Sequence, residues 1–212
     1  SQINPHFLYN TLESITWMVE GERNDDAVFM ISQLARLFRI SLSKGRTIIS
    51  IRDEIQHAQS YMNIQKIRYK NTFSIEFDVE PEIYSYSTVK LILQPLLENA
   101  INYGVSGLDE NGEIRVEGRK EGEQILLSVT DNGIGMSEEE ASLVLTDSSR
   151  IHKRGSGVGL VNVNRRIQIY FGNEYGLSIE SELDEGTRVL IRIPAVPYTE
   201  EGTKLLEEGR LE

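Results

Sequence analysis

The chain has no cysteine among its 212 residues. That excludes a disulfide framework, a thiol nucleophile and any metal site built on thiolates. Basic residues are also scarce: 22 Lys and Arg stand against 33 Asp and Glu, a net charge of −11. Nucleic acid and anionic membrane surfaces are therefore disfavoured as main partners, since both require basic patches. No apolar run reaches the roughly 20 residues of a membrane-spanning helix, and no leader segment is visible. Repeats and low-complexity tracts are missing too. The chain enters helical patterning directly from Ser1, so we expect a piece cut from a longer protein. What is present, 39% apolar and 26% charged, is the composition of an ordinary globular protein with one large domain or two small ones.

The first part reads as helices. Leu8, Leu12, Ile15 and Val19 fall on one stripe of a helix ending near residue 20, with Asn4-Pro5 as cap and first turn. After a polar turn at 21–26, Ala27, Ile31, Leu34 and Phe38 mark a second helix to about Ser43. Such a hairpin leaves apolar surface uncovered, and a second copy completing a four-helix bundle would cover it. Ser50 to Asp53 starts a third helix, ending near Arg68. From Asn71 the character changes. Phe73, Ile75 and Phe77 alternate as in a strand, and Pro81 breaks it. A Leu- and Ile-rich helix is expected from Ser87 to Tyr103, ended by Gly104. Strands follow at Glu113–Arg119 and Gln124–Thr130, then a short acidic helix from Ser137 and a loop at 146–157 that would act as a lid. A helix at Val158–Phe171 and strands at Leu177–Glu182 and Thr187–Ile193 complete the pattern. The expected fold is α+β: a helical dimerisation region over 1–70, a mixed sheet covered by helices on one face over 71–196, and a tail at 197–212 with no fold of its own.

Chemistry concentrates where the strand Ile125, Leu127, Val129 runs into Asp131-Asn132-Gly133-Ile134-Gly135-Met136. A carboxylate at a strand end, backed by apolar residues, can accept a hydrogen bond from an exocyclic amine such as adenine's. The glycines let the backbone turn tightly and come close to a ligand. A second cluster, Gly155-Ser156-Gly157-Val158-Gly159-Leu160, precedes a helix, where backbone N–H groups suit phosphates. A lone D-x-G-x-G is more often a plain turn; two glycine loops with an Asn-bearing helix upstream point to a nucleotide. On that helix Asn99 offers an oxygen for magnesium, or caps a local backbone group. Asn102 and Tyr103 lie one turn on, and Glu98 reads equally as a base or as a solvated acid. His6 stands on the first helix with Asn10 one turn away. A lone helical histidine is usually without function, yet a neutral imidazole is a good nucleophile toward a terminal phosphate, and Asn10 could orient a water. His57 and His152 receive no role, and Lys153 and Arg154 read as solvated loop charges.

These residues together resemble the cytoplasmic part of LytS/YesM-type sensor histidine kinases over residues 1–196. Gln2 to Leu12 is similar to that family's H box, Tyr61 to Tyr69 to its lead-in to the catalytic domain, and Leu96 to Ile101 to its N box. Asp131 to Met136 is similar to its G1 box and Gly155 to Leu160 to its G2 box. Gly186-Thr187, followed by a strand ending at Pro194, resembles its closing strand. The resemblance implies a GHKL-type (Bergerat) ATP-binding domain, with ATP and Mg2+ as cofactors. His6 is then the phosphorylated residue, Asn99 the magnesium ligand, Asp131 the adenine-reading carboxylate and Thr187 a contact to adenine through water. It also implies transfer of the phosphoryl group to an aspartate on a response-regulator receiver domain, a homodimer, and a membrane-anchored sensor part outside this chain. Two departures stand out. Asn102-Tyr103 replaces the family's usual Lys-His, and Phe7 follows His6 where many histidine kinases place an acid, so the base is unassigned. A nucleotide-gated dimerisation module without phosphotransfer, and an ATP hydrolase of the same fold, are the competing functions.

Overall fold

The computed structural model describes residues 4–146 and 158–209. Three helices open the chain: α1 (Pro5–Glu20), α2 (Asn24–Leu42) and α3 (Ile51–Arg68). Their starts follow from local chemistry. The Asn4 side chain accepts from the His6 N–H at 2.9 Å with Pro5 behind it, and Ser50 Oγ accepts from the Asp53 N–H at 3.1 Å. The face that α1 buries is Phe7, Thr11, Ile15 and Met18, one position round from the predicted stripe. Leu12 and Val19 stay exposed, and so does Trp17 on another side of α1, as do Val28, Phe29 and Ile31 of α2. Both helices thus carry apolar residues on two faces, and only one of these packs within the chain.

Two short strands, β1 (Ile48–Ser50) and β3 (Ser87–Val89), pair antiparallel with Ile48 opposite Val89. The main sheet contains β2 (Phe73–Val79), β4 (Gly112–Glu121), β5 (Gln124–Asp131), β6 (Gly176–Glu182) and β7 (Gly186–Pro194). Its order is β2-β4-β5-β7-β6; β2 runs parallel to β4 and the other pairs are antiparallel. Period-two alternation sends Ile114, Val116, Ile125, Leu127, Val129, Ile191 and Ile193 to the buried face. Arg115 and Arg119 point the other way and pair with Glu76, Asp78, Glu117 and Glu121 in exposed contacts that add little stability. On the buried face lie α4 (Leu93–Asn99) and α6 (Val158–Phe171), with α5 (Glu138–Leu143) at the sheet end under a Ser137–Glu140 capping box.

Two expectations are corrected. The stretch from Ser87 to Tyr103 is not one helix. Its first residues form β3, Leu91 sits in the left-handed region at φ 60°, and α4 runs on into a π-helical turn over Ala100–Gly104. A buried run of Val, Ile and Leu has no polar face to reveal its period, so helix and strand read alike. The tail is the second correction. Residues Glu200–Glu207 form α7, capped by Thr199, whose Oγ1 accepts from the Gly202 N–H at 3.0 Å. Leu206 is 1% exposed and belongs to the core. Leu206→Ala should therefore cost about 2–4 kcal/mol, read as a lower urea midpoint with an unchanged slope. A change below about 0.5 kcal/mol would return the tail to the solvent.

The apolar core is continuous from Phe7 and Met30 through Tyr61 and Ile64 to Ile101, Ile114 and Leu127. The chain leaves the helical region through a turn in which Lys70 and Asn71 are both left-handed, at φ 53° and 57°.

Candidate functional site

Strand β5 delivers Asp131 to the floor of a cavity of about 520 Å³, within the ordinary size of small-molecule sites. Leu96, Val129, Met136, Val144 and Val189 supply apolar wall, while Asn99, Asn102 and Tyr103 border it from α4 and the π-helical turn. Ile134, Gly135 and Thr187 come from the facing side. Burial lifts the Asp131 carboxyl from its ordinary 3.8 to about 6, and backbone N–H groups of Gly133 and Thr187 offset part of the rise. The Gly133 N–H donates to Asp131 Oδ1 at 2.9 Å, and the Asp131 carboxyl lines the cavity.

Close approach explains the glycines. A Cβ on Gly133 would lie 2.3 Å from the Gly104 carbonyl, and one on Gly135, at φ +66°, 1.9 Å from Glu182 O. The sequence reading missed two more. A Cβ on Gly104 would lie 2.6 Å from the Asp131 carboxyl, and one on Gly186 2.0 Å from Asp131 O. Gly104, read from sequence as a helix stop, is the spacer that lets the π-helical turn lie on Asp131. Gly104→Ala is expected to cost about 1–3 kcal/mol by overpacking, seen as a lower denaturant midpoint; an unchanged midpoint would mean the turn can lift away freely.

Ser181 is the other residue missed. Its hydroxyl accepts from the Met136 N–H at 2.8 Å, donates to Gly186 O at 3.0 Å and lies 2.8 Å from Thr187 Oγ1. It ties the glycine turn to the β6–β7 end and orients Thr187. Only the register that sets Ser181 opposite Thr187 reveals this role. Asn132, beside the acid, accepts from the Glu113 N–H at 2.7 Å and donates to Asn111 O at 2.9 Å, fixing the turn from the far side.

The structure therefore brings Asn99, Asn102, Tyr103, Asp131, Gly135, Met136 and Thr187 around one cavity, with Gly133 packed beneath. It does not place His6, Asn10, Glu98, Gly159 or Leu160 in that lining. His6 is exposed on α1, with Asn10 half-buried a turn further on. Glu98 Oε1 accepts from Gln94 Nε2 at 3.1 Å on the side of α4 that faces Tyr61. A Cβ placed on Gly159 would lie 3.5 Å from Pro95 of α4, an ordinary contact, and Leu160, taken from sequence as a ligand contact, is a core residue that anchors α6. Gly155, Gly157 and all of the expected lid beyond Thr146 lie outside the described residues. No helix among the described residues is long and apolar enough to cross a membrane.

The chain matches two family models. Residues 1–73 match the one described as histidine kinase, and residues 85–197 the one described as histidine kinase-, DNA gyrase B-, and HSP90-like ATPase. It is 37% identical over 194 residues to the sensor histidine kinase YesM of Bacillus subtilis, covering 92% of this chain and 32% of that protein. With the sensor protein LytS of Staphylococcus saprophyticus it shares 32% identity over 196 residues, again 92% of this chain and 32% of the relative. The chain thus spans about a third of the length of these relatives. A solved histidine kinase domain of a blue-light-activated kinase from Erythrobacter litoralis shares its fold, with a TM-score of 0.53 at 17% identity over 87% of this chain and 79% of that one. The chain belongs to the histidine kinase-, DNA gyrase B- and HSP90-like ATPase family, and within it to the LytS/YesM-type sensor histidine kinases.

Proposed function

We propose that the chain is the kinase part of a membrane-anchored two-component sensor: it binds ATP in the Asp131 cavity and transfers the γ-phosphoryl group to His6. The observation that carries the nucleotide half is a buried carboxylate on the floor of a cavity with apolar walls and an asparagine at its rim. A flat purine suits the walls, and the Asp131 carboxylate accepts from its exocyclic amine. Thr187, held by Ser181, reaches the same ring through water. Among the described residues no cluster of three or more His, Asp or Glu could hold a metal unaided. One oxygen from Asn99, completed by phosphates and water, suits magnesium. That ion would offset charge on the phosphates.

For the transfer, a neutral imidazole nitrogen of His6 attacks the γ-phosphorus; the bond to the bridging oxygen breaks and ADP leaves with its electron pair. Positioning does most of the work. The exposed His6 on α1 is open to approach by a nucleotide domain and later by a response-regulator aspartate. Leu12 and Val19 of α1 and Val28 and Ile31 of α2 offer apolar surface to a second copy, which supports a homodimer.

The test is incubation with magnesium and γ-labelled ATP, followed by mass mapping. Label on His6 by an acid-labile, base-stable bond is expected. Bound ATP with no labelled histidine would favour the dimerisation module, and steady phosphate release without a phosphoenzyme would favour the hydrolase.

A further inference from the structure

Helix α4 has no cap of its own: Ile92 occupies the N-cap position and offers no side-chain bond. The cap comes from α3. Glu54, fully buried, accepts from the Leu91 N–H at 2.8 Å through one carboxylate oxygen, and from the Ile92 and Leu93 N–H groups at 2.9 and 3.1 Å through the other. Two more elements grip the same segment. Arg166 of α6 donates to Lys90 O at 2.6 Å and Leu91 O at 3.4 Å. Lys90 Nζ in turn donates to Ser41 O, at the end of α2, at 2.8 Å. Glu54 and Arg166 also attract each other at this buried node. Four residues, 90–93, are thus fixed from α2, α3 and α6 at once, and left-handed Leu91 is held among them.

What hangs from this node is the nucleotide cavity. Seven residues on, α4 ends at Asn99 and passes into the π-helical turn that lies on Asp131. Helix α6 packs against α4, and its first turn leaves room beside Pro95 for a small residue such as Gly159 or alanine. A short rigid helix transmits a shift at one end to the other. We propose that Glu54 is a positioning residue: by capping α4 from the helical region it sets Asn99 and the π-helical turn, so that the helical region acts directly on the geometry of the ATP site. The consequence rests on the nucleotide reading above; the clamp itself does not.

The test is Glu54→Gln in the full 212-residue chain, followed by residue-resolved amide exchange without nucleotide. The amide nitrogen that replaces one oxygen faces N–H donors and leaves at least one unpaired. Exchange at Leu91–Leu93 should quicken roughly tenfold or more, with a transmitted increase at Asn99–Gly104 while β5 and β7 stay protected. Magnesium-ATP affinity should fall roughly tenfold alongside. Acceleration confined to 91–93, or absent, overturns the proposal, as does acceleration at 99–104 with unchanged affinity in a protein that binds ATP. If the wild type binds no ATP, the nucleotide reading fails and the exchange pattern still decides positioning. Should Glu54→Gln not fold, Arg166→Gln loosens the same node from α6 and is read by the same two signals, with the same outcome expected at 99–104.

Discussion

His6→Gln is expected to abolish phosphorylation of the chain by magnesium-ATP, to below roughly a hundredth of the wild-type level, while ATP affinity stays within about twofold. The two effects separate because the residues do. His6 is exposed on the first turn of α1, and none of the cavity's lining comes from that helix. Glutamine keeps the helix and the backbone N–H that Asn4 caps, and it removes only the nucleophilic nitrogen. No nearby group takes over: Phe7 follows, with its ring 5.2 Å from that of Tyr61. The measurement pairs acid-labile label per chain with an equilibrium binding curve. Wild-type labelling of the variant would move the acceptor elsewhere. Lost binding would mean that α1 supports the cavity.

Asp131→Asn should weaken ATP binding by tenfold to a hundredfold, the scale of a lost charge-assisted hydrogen bond in a buried site. Asparagine fills the same space, so the fold should persist. The pH dependence sharpens this. Burial holds the folded-state Asp131 near 6, above its ordinary 3.8. Between about 6 and 4 the nucleotide-free folded state therefore carries a proton that the unfolded chain lacks. Asp131 is thus a stabilising group as pH falls through that window, and its charge destabilises the fold above it by roughly 3 kcal/mol. Adenine needs the ionised acceptor, so affinity should move the opposite way and fall roughly tenfold per pH unit below 6. Asp131→Asn should flatten both trends relative to wild type. Parallel pH profiles of the two proteins, in melting and in ATP binding, would remove Asp131 from the adenine site.

What the sequence revealed here was local chemistry. Asn4-Pro5 and Ser50 with Asp53 are start signals carried within three residues, and each cap forms as read; the helix start at Ser137 was also read, and the structure adds its capping box with Glu140. The alternation of Ile125, Leu127 and Val129 leading to Asp131 needs no partner to be seen. What stayed hidden depends on distant contacts. Ser87–Val89 becomes a strand because Ile48–Ser50 waits far upstream. The start of α4 is unmarked because its cap, Glu54, sits on another helix. Gly104 and Ser181 matter because Asp131 and Thr187 come to lie against them, which no single-chain spacing announces. The choice between the two apolar faces of α1 was likewise made by packing against α2 and α3. In the tail, Leu205 and Leu206 stand as a short apolar pair among charges, too thin a pattern to stand for a helix until the core receives Leu206.

The most direct measurement is a titration of the isotope-labelled chain with a non-hydrolysable ATP analogue and magnesium, followed through backbone amide signals. Saturable shifts centred on Gly104, Gly133, Gly135 and Thr187, lost in Asp131→Asn, are expected. Shifts confined to residues away from that cavity, or none at millimolar analogue, would contradict a nucleotide seated on Asp131.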